Sequence, residues 1–174
     1  MKNVYYVGSG DLDFEIIEKI INKNLKLELS DEAKQRIQKC RDYLDQKIEL
    51  SKEPLYGITT GFGSLCNKNI SPDELTRLQE NLVKSHACSV GEEIPAVVVK
   101  LMMLLKAHAL SLGYSGVQVI TVQRIIDFFN NDIIPIVCDR GSLGASGDLA
   151  PLANLFLPLI GWETYIIRVR SVKR

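Results

Sequence analysis

Residues 141–152 form the stretch whose residue types are best suited to chemistry. Its first seven residues hold three glycines and two serines, and an apolar run follows. Glycine is used where the backbone must adopt conformations that other residues avoid. The pattern predicts a loop that leads into the start of a helix, where unpaired N–H groups point outward. In full, the stretch reads Gly141-Ser142-Leu143-Gly144-Ala145-Ser146-Gly147-Asp148-Leu149-Ala150-Pro151-Leu152.

Two familiar loop chemistries fit this stretch poorly. A phosphate-binding loop needs the spacing GxGxxG or GxxxxGK[ST], and Gly141-x-x-Gly144-x-x-Gly147 has neither. A serine nucleophile on a sharp turn needs GxSxG, whereas Ser146 follows Gly144 and Ala145. A small phosphate-binding module therefore stays as the least favoured interpretation.

The tripeptide Ala145-Ser146-Gly147 fits a third chemistry. The nitrogen of Gly147 is flanked by no Cβ of its own, so it can attack the carbonyl carbon of Ala145 across the serine. Loss of one water closes a five-membered ring, and elimination of the Ser146 hydroxyl as a second water leaves an exocyclic methylene. The product is a methylidene-imidazolone, an electrophile made from the chain itself. Since the tripeptide alone is common, support must come from other segments.

Four segments, in the right order, resemble the aromatic amino acid ammonia-lyase family. The stretch 141–152 is similar to the family signature, and Tyr56-Gly57-Ile58-Thr59-Thr60-Gly61-Phe62-Gly63 resembles the family's tyrosine loop. Residues 79–87 resemble its substrate-selecting helix, and residues 112–117 match a further family block. The resemblance extends over about residues 5–160.

The resemblance implies a carbon–nitrogen lyase that converts L-histidine to trans-urocanate and ammonia in histidine degradation. The pair Ser85-His86 is similar to that of the histidine-specific members, which makes both residues candidates for substrate binding. Spacing alone indicates a histidine on the buried face of a helix, because His86 follows Leu78 and Leu82 at helical steps. Two alternatives stay open: a lyase for tyrosine or phenylalanine, and a truncated, catalytically inactive α-helical fragment of such an enzyme.

The family pattern also assigns roles within the reaction. The imidazolone methylene would take electrons from the substrate amine and so activate the leaving group. A base must remove the β-proton, and a free phenol ionises only near pH ~10, so its surroundings must favour the phenolate. Asp148 and Gly63 are expected to support the two loops. No metal or nucleotide cofactor is predicted. The residues expected to carry the reaction are Tyr56, Ala145, Ser146 and Gly147.

Composition narrows the class of protein. The 174 residues are 46% hydrophobic and carry 21 basic and 21 acidic side chains, which leaves no field to attract nucleic acid. The apolar run Ile94–Leu112 is interrupted by Lys100, Lys106 and His108, so we expect a buried helix and no membrane span.

No apolar signal region follows Met1-Lys2, and the four cysteines have no metal-site spacing. We expect a cytoplasmic protein that binds a small amino acid, with neither nucleic acid nor membrane as a partner.

Helical periods dominate the elements that must position these residues. Asp11 or Asp13 is predicted to cap a first helix whose packed face includes Phe14, and Ser30 is predicted to cap a second helix. Only Leu25–Leu29 predicts an extended segment. The fold class is therefore mainly α, and the resemblance makes it the N-terminal part of the helical-bundle ammonia-lyase fold, truncated.

Beyond the tyrosine loop, Ser71-Pro72-Asp73-Glu74 is predicted to be a capping box that starts the helix carrying His86, and three further helices are expected after it. The helix that begins at Pro95 is apolar nearly all round and belongs in the centre of a bundle. Another ends at Asn130-Asn131-Asp132, and the last runs over 149–160 with a break near Pro158. The family shows asparagine where this chain has His108, whose ring we expect to be satisfied within its helix.

Two regions are expected along the chain: a lyase region, 1–161, and a divergent basic tail, 162–174. From Trp162 the family pattern is lost, as expected of an altered reading frame or a truncated gene product. Full-length family members are homotetramers whose active sites draw on several subunits. We therefore expect the isolated chain to assemble poorly and to lack activity, with part of its Ile94–Leu112 helix uncovered.

Overall fold

A computed structural model of the chain describes residues 3–51, 53–63, 66, 70–142, 147, 149–162 and 168–169. Helices dominate this part of the chain, as the sequence predicts, and the strands are short. The α-helices are α1 (Phe14–Asn22), α2 (Asp31–Leu50), α3 (Leu75–His86), α4 (Ala96–Ser111), α5 (Val119–Asn130) and α6 (Leu149–Phe156). The strands are β1 (Val4–Val7), β2 (Lys26–Leu29), β3 (Val90–Glu93), β4 (Ile133–Ile134), β5 (Cys138–Arg140) and β6 (Arg168–Val169).

The chain divides into two compact units. The first unit comprises the described residues of Met1–Tyr43, Ile94–Ile134 and Ile167–Arg174. The second comprises those of Leu44–Glu93 and Pro135–Ile166. The predicted tyrosine loop and the stretch 141–152 both fall in the second unit.

The first unit packs a two-stranded parallel sheet with helices α4 and α5. Strands β1 and β2 pair from Val4–Lys26 to Val7–Leu29. The side-chain amide of Asn130, at the end of α5, continues this pairing, because it bonds both the N–H and the C=O of Leu27 at 2.8 Å. The largest fully buried side chains of this unit are Val7, Ile20, Leu27, Ile37, Val99, Met103, Leu104, Val122, Ile125 and Ile126.

Both predicted helix caps at the N-terminal end are confirmed. The Asp13 carboxylate accepts from the Ile16 N–H at 2.8 Å, and the Ser30 hydroxyl oxygen accepts from the Ala33 N–H at 3.1 Å. The prediction that Phe14 packs was wrong, since its side chain is 90% exposed. A helical side chain covers the surface over the preceding turn, and Phe14 is the first residue of its helix, so no turn lies beneath it.

Helix α4 is covered on one side only. Val99, Met103 and Leu104 are buried, whereas Val97 and Leu105 are about half exposed, at 49% each. The prediction of a helix enclosed on all sides was therefore wrong within this unit. No described helix has both the length and the apolar character needed to cross a membrane.

His108, on α4, departs from the sequence expectation. Its Nδ1 atom is buried and has no hydrogen-bond partner among the described residues. The prediction that the His108 ring is satisfied within its helix was therefore wrong for Nδ1. Helical spacing could not reveal this, because it fixes the face of a side chain and not the partners opposite it.

The second unit contains helices α3 and α6, which pack against each other, and an antiparallel ribbon of β3 and β5. Helix α3 begins with a 3₁₀ turn, Pro72–Glu74, and its N-cap residue Glu74 makes no side-chain cap bond. The predicted capping box is therefore wrong, although the helix start lies close to where the box placed it. Helix α6 ends at Phe156 and continues as a 3₁₀ turn, Leu157–Ile160, which confirms the predicted break near Pro158.

Candidate active site

Threonine side chains fix the tyrosine loop from within. The Thr59 hydroxyl oxygen accepts from the Leu55 N–H at 2.9 Å, and that of Thr60 accepts from the Gly57 N–H at 3.2 Å. Thr60 is fully buried. Since both hydroxyls bond backbone of the same short segment, residues 55–60 form consecutive tight turns. The predicted loop is thus confirmed as an ordered element.

The phenol oxygen of Tyr56 is hydrogen-bonded, whereas much of its side chain is exposed to solvent. The Gly63 N–H donates to Tyr56 Oη at 3.3 Å, while 63% of the residue is exposed. This hydrogen bond fixes the position of the phenol oxygen, and the catalytic role of Tyr56 stays a prediction.

Phe62 connects the tyrosine loop to helix α3. Its ring centroid lies 5.5 Å from that of Tyr56 and 5.8 Å from that of His86, which it meets edge-on. Gly57 permits this packing, because a Cβ at that position would lie 2.6 Å from Phe62 Cε1. Two residues that the sequence assigned to substrate chemistry, Tyr56 and His86, are thus linked through a third that it did not single out.

His86 presents one ring nitrogen to its own helix and keeps the other available. Its Nδ1 lies 2.6 Å from the Leu82 carbonyl oxygen, which can only accept. Nδ1 therefore carries a hydrogen, and in the neutral ring Nε2 is the acceptor. The Ser85 hydroxyl lies 3.2 Å from the same Nδ1 and donates to the Leu82 carbonyl at 3.1 Å.

The predicted burial of His86 needs correction. None of the α3 side chains is buried, and His86 is half-buried together with Leu78 and Leu82. Helix α3 packs along α6 on a face that is too narrow to enclose these side chains fully, since the unit has few other elements beside it. The half-exposed ring is accessible to a small molecule, which a fully buried one would not be.

Gln79 is a site residue that the sequence did not reveal. Its amide Nε2 donates to the carbonyl oxygens of Gly57 and Ile58, at 3.2 Å each. A weak signal existed, because Gln79 stands two helical turns before His86 and so shares its face of α3. The side chain anchors the residues that directly follow Tyr56.

The stretch 141–152 is described in part. Gly147 has φ +72°, in the left-handed region, and a Cβ built on it would meet no atom of the described residues within 4 Å. Glycine is therefore required there by the backbone conformation and not by crowding. Ala145, Ser146 and Asp148 lie outside the described residues, so their predicted roles stay predictions. Helix α6 begins at Leu149, as expected of a loop that leads into a helix.

Known proteins resemble this chain over nearly all of its length. It is 39% identical over 161 residues to the histidine ammonia-lyase of Streptococcus gordonii, an alignment that covers 92% of this chain and 31% of that protein. The solved histidine ammonia-lyase of Trypanosoma cruzi has a TM-score of 0.76 at 33% identity, covering 91% of this chain and 29% of that one. The tyrosine aminomutase of Streptomyces globisporus has a TM-score of 0.83 at 26% identity, covering 97% and 32%.

These proteins confirm the predicted fold class, the N-terminal part of an ammonia-lyase fold. The chain spans about a third of the length of the relatives it matches. The family model described as aromatic amino acid lyase matches residues 12–173. The chain therefore belongs to the aromatic amino acid lyase family.

Proposed function

We propose that this chain is the part of a histidine ammonia-lyase that carries the base, the imidazole-binding side chains and the self-made electrophile. The proposed reaction eliminates ammonia from L-histidine and yields trans-urocanate, in histidine degradation. One observation carries the choice of substrate: Phe62 joins the Tyr56 ring to a His86 ring whose Nε2 is free to accept. The relatives named histidine ammonia-lyase support the same choice.

Tyr56 is the proposed base for the β-proton. The Gly63 N–H at 3.3 Å holds the phenol oxygen, and the exposed ring leaves that oxygen within reach of a substrate. Thr60 and Gln79 fix the backbone that bears Tyr56, through bonds to Gly57 on either side. A base that is fixed before the substrate arrives needs no reorganisation during proton transfer.

His86 is the proposed contact for the substrate imidazole. With Nδ1–H bonded to Leu82, its Nε2 accepts from an N–H of the substrate ring. The Ser85 hydroxyl keeps this tautomer in place, since it lies within hydrogen-bond distance of Nδ1. A phenyl ring has no N–H to offer, so this arrangement favours histidine over phenylalanine.

The residues of the stretch 141–152 fit the electrophile that the family implies. Gly147 has a φ in the left-handed region, and no atom of the described residues lies within 4 Å of a Cβ built on it. Ring closure between Ala145 and Gly147 and elimination at Ser146 together release two waters, with no oxidant or reductant. When formed, the methylidene-imidazolone supplies an electron sink for the substrate amine. Asp148 is proposed to support this loop.

The proposal includes a cytoplasmic homotetramer, carried over from the family resemblance. Its test is a chimera in which residues 1–161 replace the matching part of the Streptococcus gordonii enzyme. We expect urocanate formation from L-histidine, followed by its ultraviolet absorbance, and much slower turnover of tyrosine and phenylalanine. Tyr56→Phe should lower kcat by about 10²- to 10⁴-fold, the usual worth of a general base.

A matched variant, Tyr6→Phe, changes a half-exposed phenol on β1 in the first unit and should leave kcat unchanged. Unchanged turnover in Tyr56→Phe would overturn the assignment of the base. Preference for tyrosine or phenylalanine would overturn the choice of substrate. A chimera that folds as a tetramer without any turnover would favour the inactive-fragment alternative.

A further inference from the structure

The ribbon of β3 and β5 places Ser89 at the base of the stretch that bears the Ala-Ser-Gly tripeptide. The strands are antiparallel, with Val90 opposite Arg140. One step further along both strands, Ser89 comes opposite Gly141, the last residue before the loop. The Glu92 N–H donates to the Asp139 carboxylate at 3.0 Å, which fixes this register from the side.

Gly141 lies against both Ser89 and Ala150. A Cβ built on Gly141 would lie 2.8 Å from both Cα and Cβ of Ser89, and 3.0 Å from the Cβ of Ala150. Gly141 precedes the stretch 142–149 in the sequence and Ala150 follows it, so the two residues that flank this stretch lie next to each other. Because a Cβ at Gly141 would collide with the Ser89 backbone, the close approach depends on glycine.

Asn154 holds Ser89 from the far side, one helical turn after Ala150 on α6. It is 1% exposed, and its Nδ2 donates to the Ser89 hydroxyl oxygen. Its Oδ1 is also buried and has no partner among the described residues. Reversing the amide would pair Oδ1 with the Ser89 hydroxyl and leave Nδ2 unpaired, so one end of the amide is unsatisfied in either orientation.

A buried polar group without a partner is costly, and an apolar side chain of similar size would avoid that cost. What Asn154 provides in return is a bond that ties α6 to the ribbon across the base of the loop. A loop whose ends are fixed has less conformational freedom to lose when two of its atoms must meet. Ring closure between Ala145 and Gly147 is such a step.

We propose that Ser89 and Asn154 are a positioning pair that holds both ends of the loop 142–148 together and thereby promotes its self-cyclisation. The second half of this inference rests on the proposed function, since it presumes that the ring forms. The first half, the clamping of the loop ends, stands on the contacts of Ser89 alone.

The clamp is tested by hydrogen exchange on the 174-residue chain. We expect peptides covering residues 138–156 to exchange about tenfold faster in Asn154→Leu and in Ser89→Ala, the factor for a lost hydrogen bond. Ser89→Thr retains the hydroxyl and should keep the protection. Asn81→Leu, an exposed asparagine on α3 of the same unit, should leave exchange unchanged.

Exchange in peptides from α3, which belongs to the same unit as Ser89 and Asn154, reports whether that unit folds in a variant. If Asn154→Leu loses that protection, the variant is unfolded. The comparison of Ser89→Ala with Ser89→Thr then decides whether the loop ends are held together. Equal exchange in these two serine variants would overturn the clamp.

Cyclisation is tested by intact mass over time after synthesis. We expect the wild-type chain to lose two waters, and Asn154→Leu and Ser89→Ala to lose them several-fold more slowly. Equal rates in wild type and variants would overturn the positioning role, whatever the exchange shows. A wild-type chain that keeps its full mass would contradict the proposed function and the cyclisation half of this inference, while exchange would still decide the clamp.

Discussion

The Phe62 ring meets the His86 ring edge-on, with centroids 5.8 Å apart and planes at 82°. Edge-to-face contact at this distance is a favourable arrangement for aromatic rings. Phe62 belongs to the tyrosine loop and His86 to the end of α3, so one contact couples the proposed base to the proposed imidazole-binding residue.

Gly57 makes this coupling possible, and its substitution should show that. Gly57→Ala combines a strained φ of +69° with a Cβ 2.6 Å from Phe62. Gly63→Ala, at φ +56° with open space, carries the strain alone, on the order of 1–2 kcal/mol. We expect Gly57→Ala to lower the free energy of unfolding more than Gly63→Ala, measured by urea denaturation.

The double variant Gly57→Ala with Phe62→Ala removes the ring that the new Cβ would strike. Its loss of stability should therefore be smaller than the sum of the two single losses. Strictly additive losses would show that Gly57 is not needed for the packing of Phe62.

The tautomer of His86 is directly measurable. In the neutral ring the hydrogen is expected on Nδ1, with Nε2 bare. Ring nitrogen chemical shifts distinguish the two tautomers. An Nε2–H tautomer would contradict the proposed recognition of a substrate N–H. Ser85→Ala should shift the equilibrium toward that tautomer, since it removes the hydroxyl beside Nδ1.

Gln79 should control the order of the tyrosine loop. Gln79→Leu removes both bonds to the carbonyls of Gly57 and Ile58, so we expect faster hydrogen exchange in peptides covering 57–61. Gln38→Leu is the matched control, because Gln38 is an exposed helical glutamine bonded to Asp42 on its own helix.

The acid variant of Gln79 adds a pH test. Gln79→Glu places a carboxylate against two carbonyl oxygens, and a carboxylate cannot donate. Its loop should exchange fastest when the acid is ionised and regain protection below about pH 4, where the acid can donate. Protection that does not change with pH would argue against these two bonds.

Tyr5 gives a prediction for stability at high pH. Burial, and then the nearby Asp13 carboxylate, raise the pKa of the Tyr5 phenol above its ordinary value of 10.0. A raised pKa in the folded state contributes stability that is present below that ordinary value and is lost as pH rises through the folded pKa. We therefore expect the wild type to lose stability relative to Tyr5→Phe as pH rises above about 10.

At neutral pH the same variant should be at least as stable as wild type. The Tyr5 hydroxyl is buried with no partner among the described residues, so its removal spares about 1 kcal/mol or more of desolvation. Tyr114 is 88% exposed, so Tyr114→Phe is the control. It should change neither the stability at neutral pH nor the loss of stability at high pH. A Tyr5→Phe chain clearly less stable at neutral pH would show that the hydroxyl has a partner.

The sequence predicted the helices far better than the strands. Caps at Asp13 and Ser30 and the stop after Asn130 are local signals, and the structure confirms them. The pairing of β3 with β5 joins segments about 50 residues apart, and their polar sequences lack the alternation that marks a strand. Nothing local in Val90–Glu93 reveals a partner at Cys138–Arg140.

The sequence predicted the site residues that belong to a family motif. It did not predict the residues that act through tertiary contacts. Tyr56 and His86 were found through the family resemblance. Phe62, Gln79 and Asn154 act through contacts with distant segments, which spacing along the chain does not encode. Their types, an aromatic residue and two amides, are ordinary for a loop and for helices.

The intact mass of the purified 174-residue chain tests the central claim most directly. We expect a mass lower than that of the encoded sequence by two water molecules, with the loss located at Ala145-Ser146-Gly147 by fragmentation. Ser146→Ala should lose one water at most. Ring closure can still release the first water, but no hydroxyl remains to be eliminated as the second. A wild-type chain with the full encoded mass would contradict the claim that this stretch makes its own electrophile.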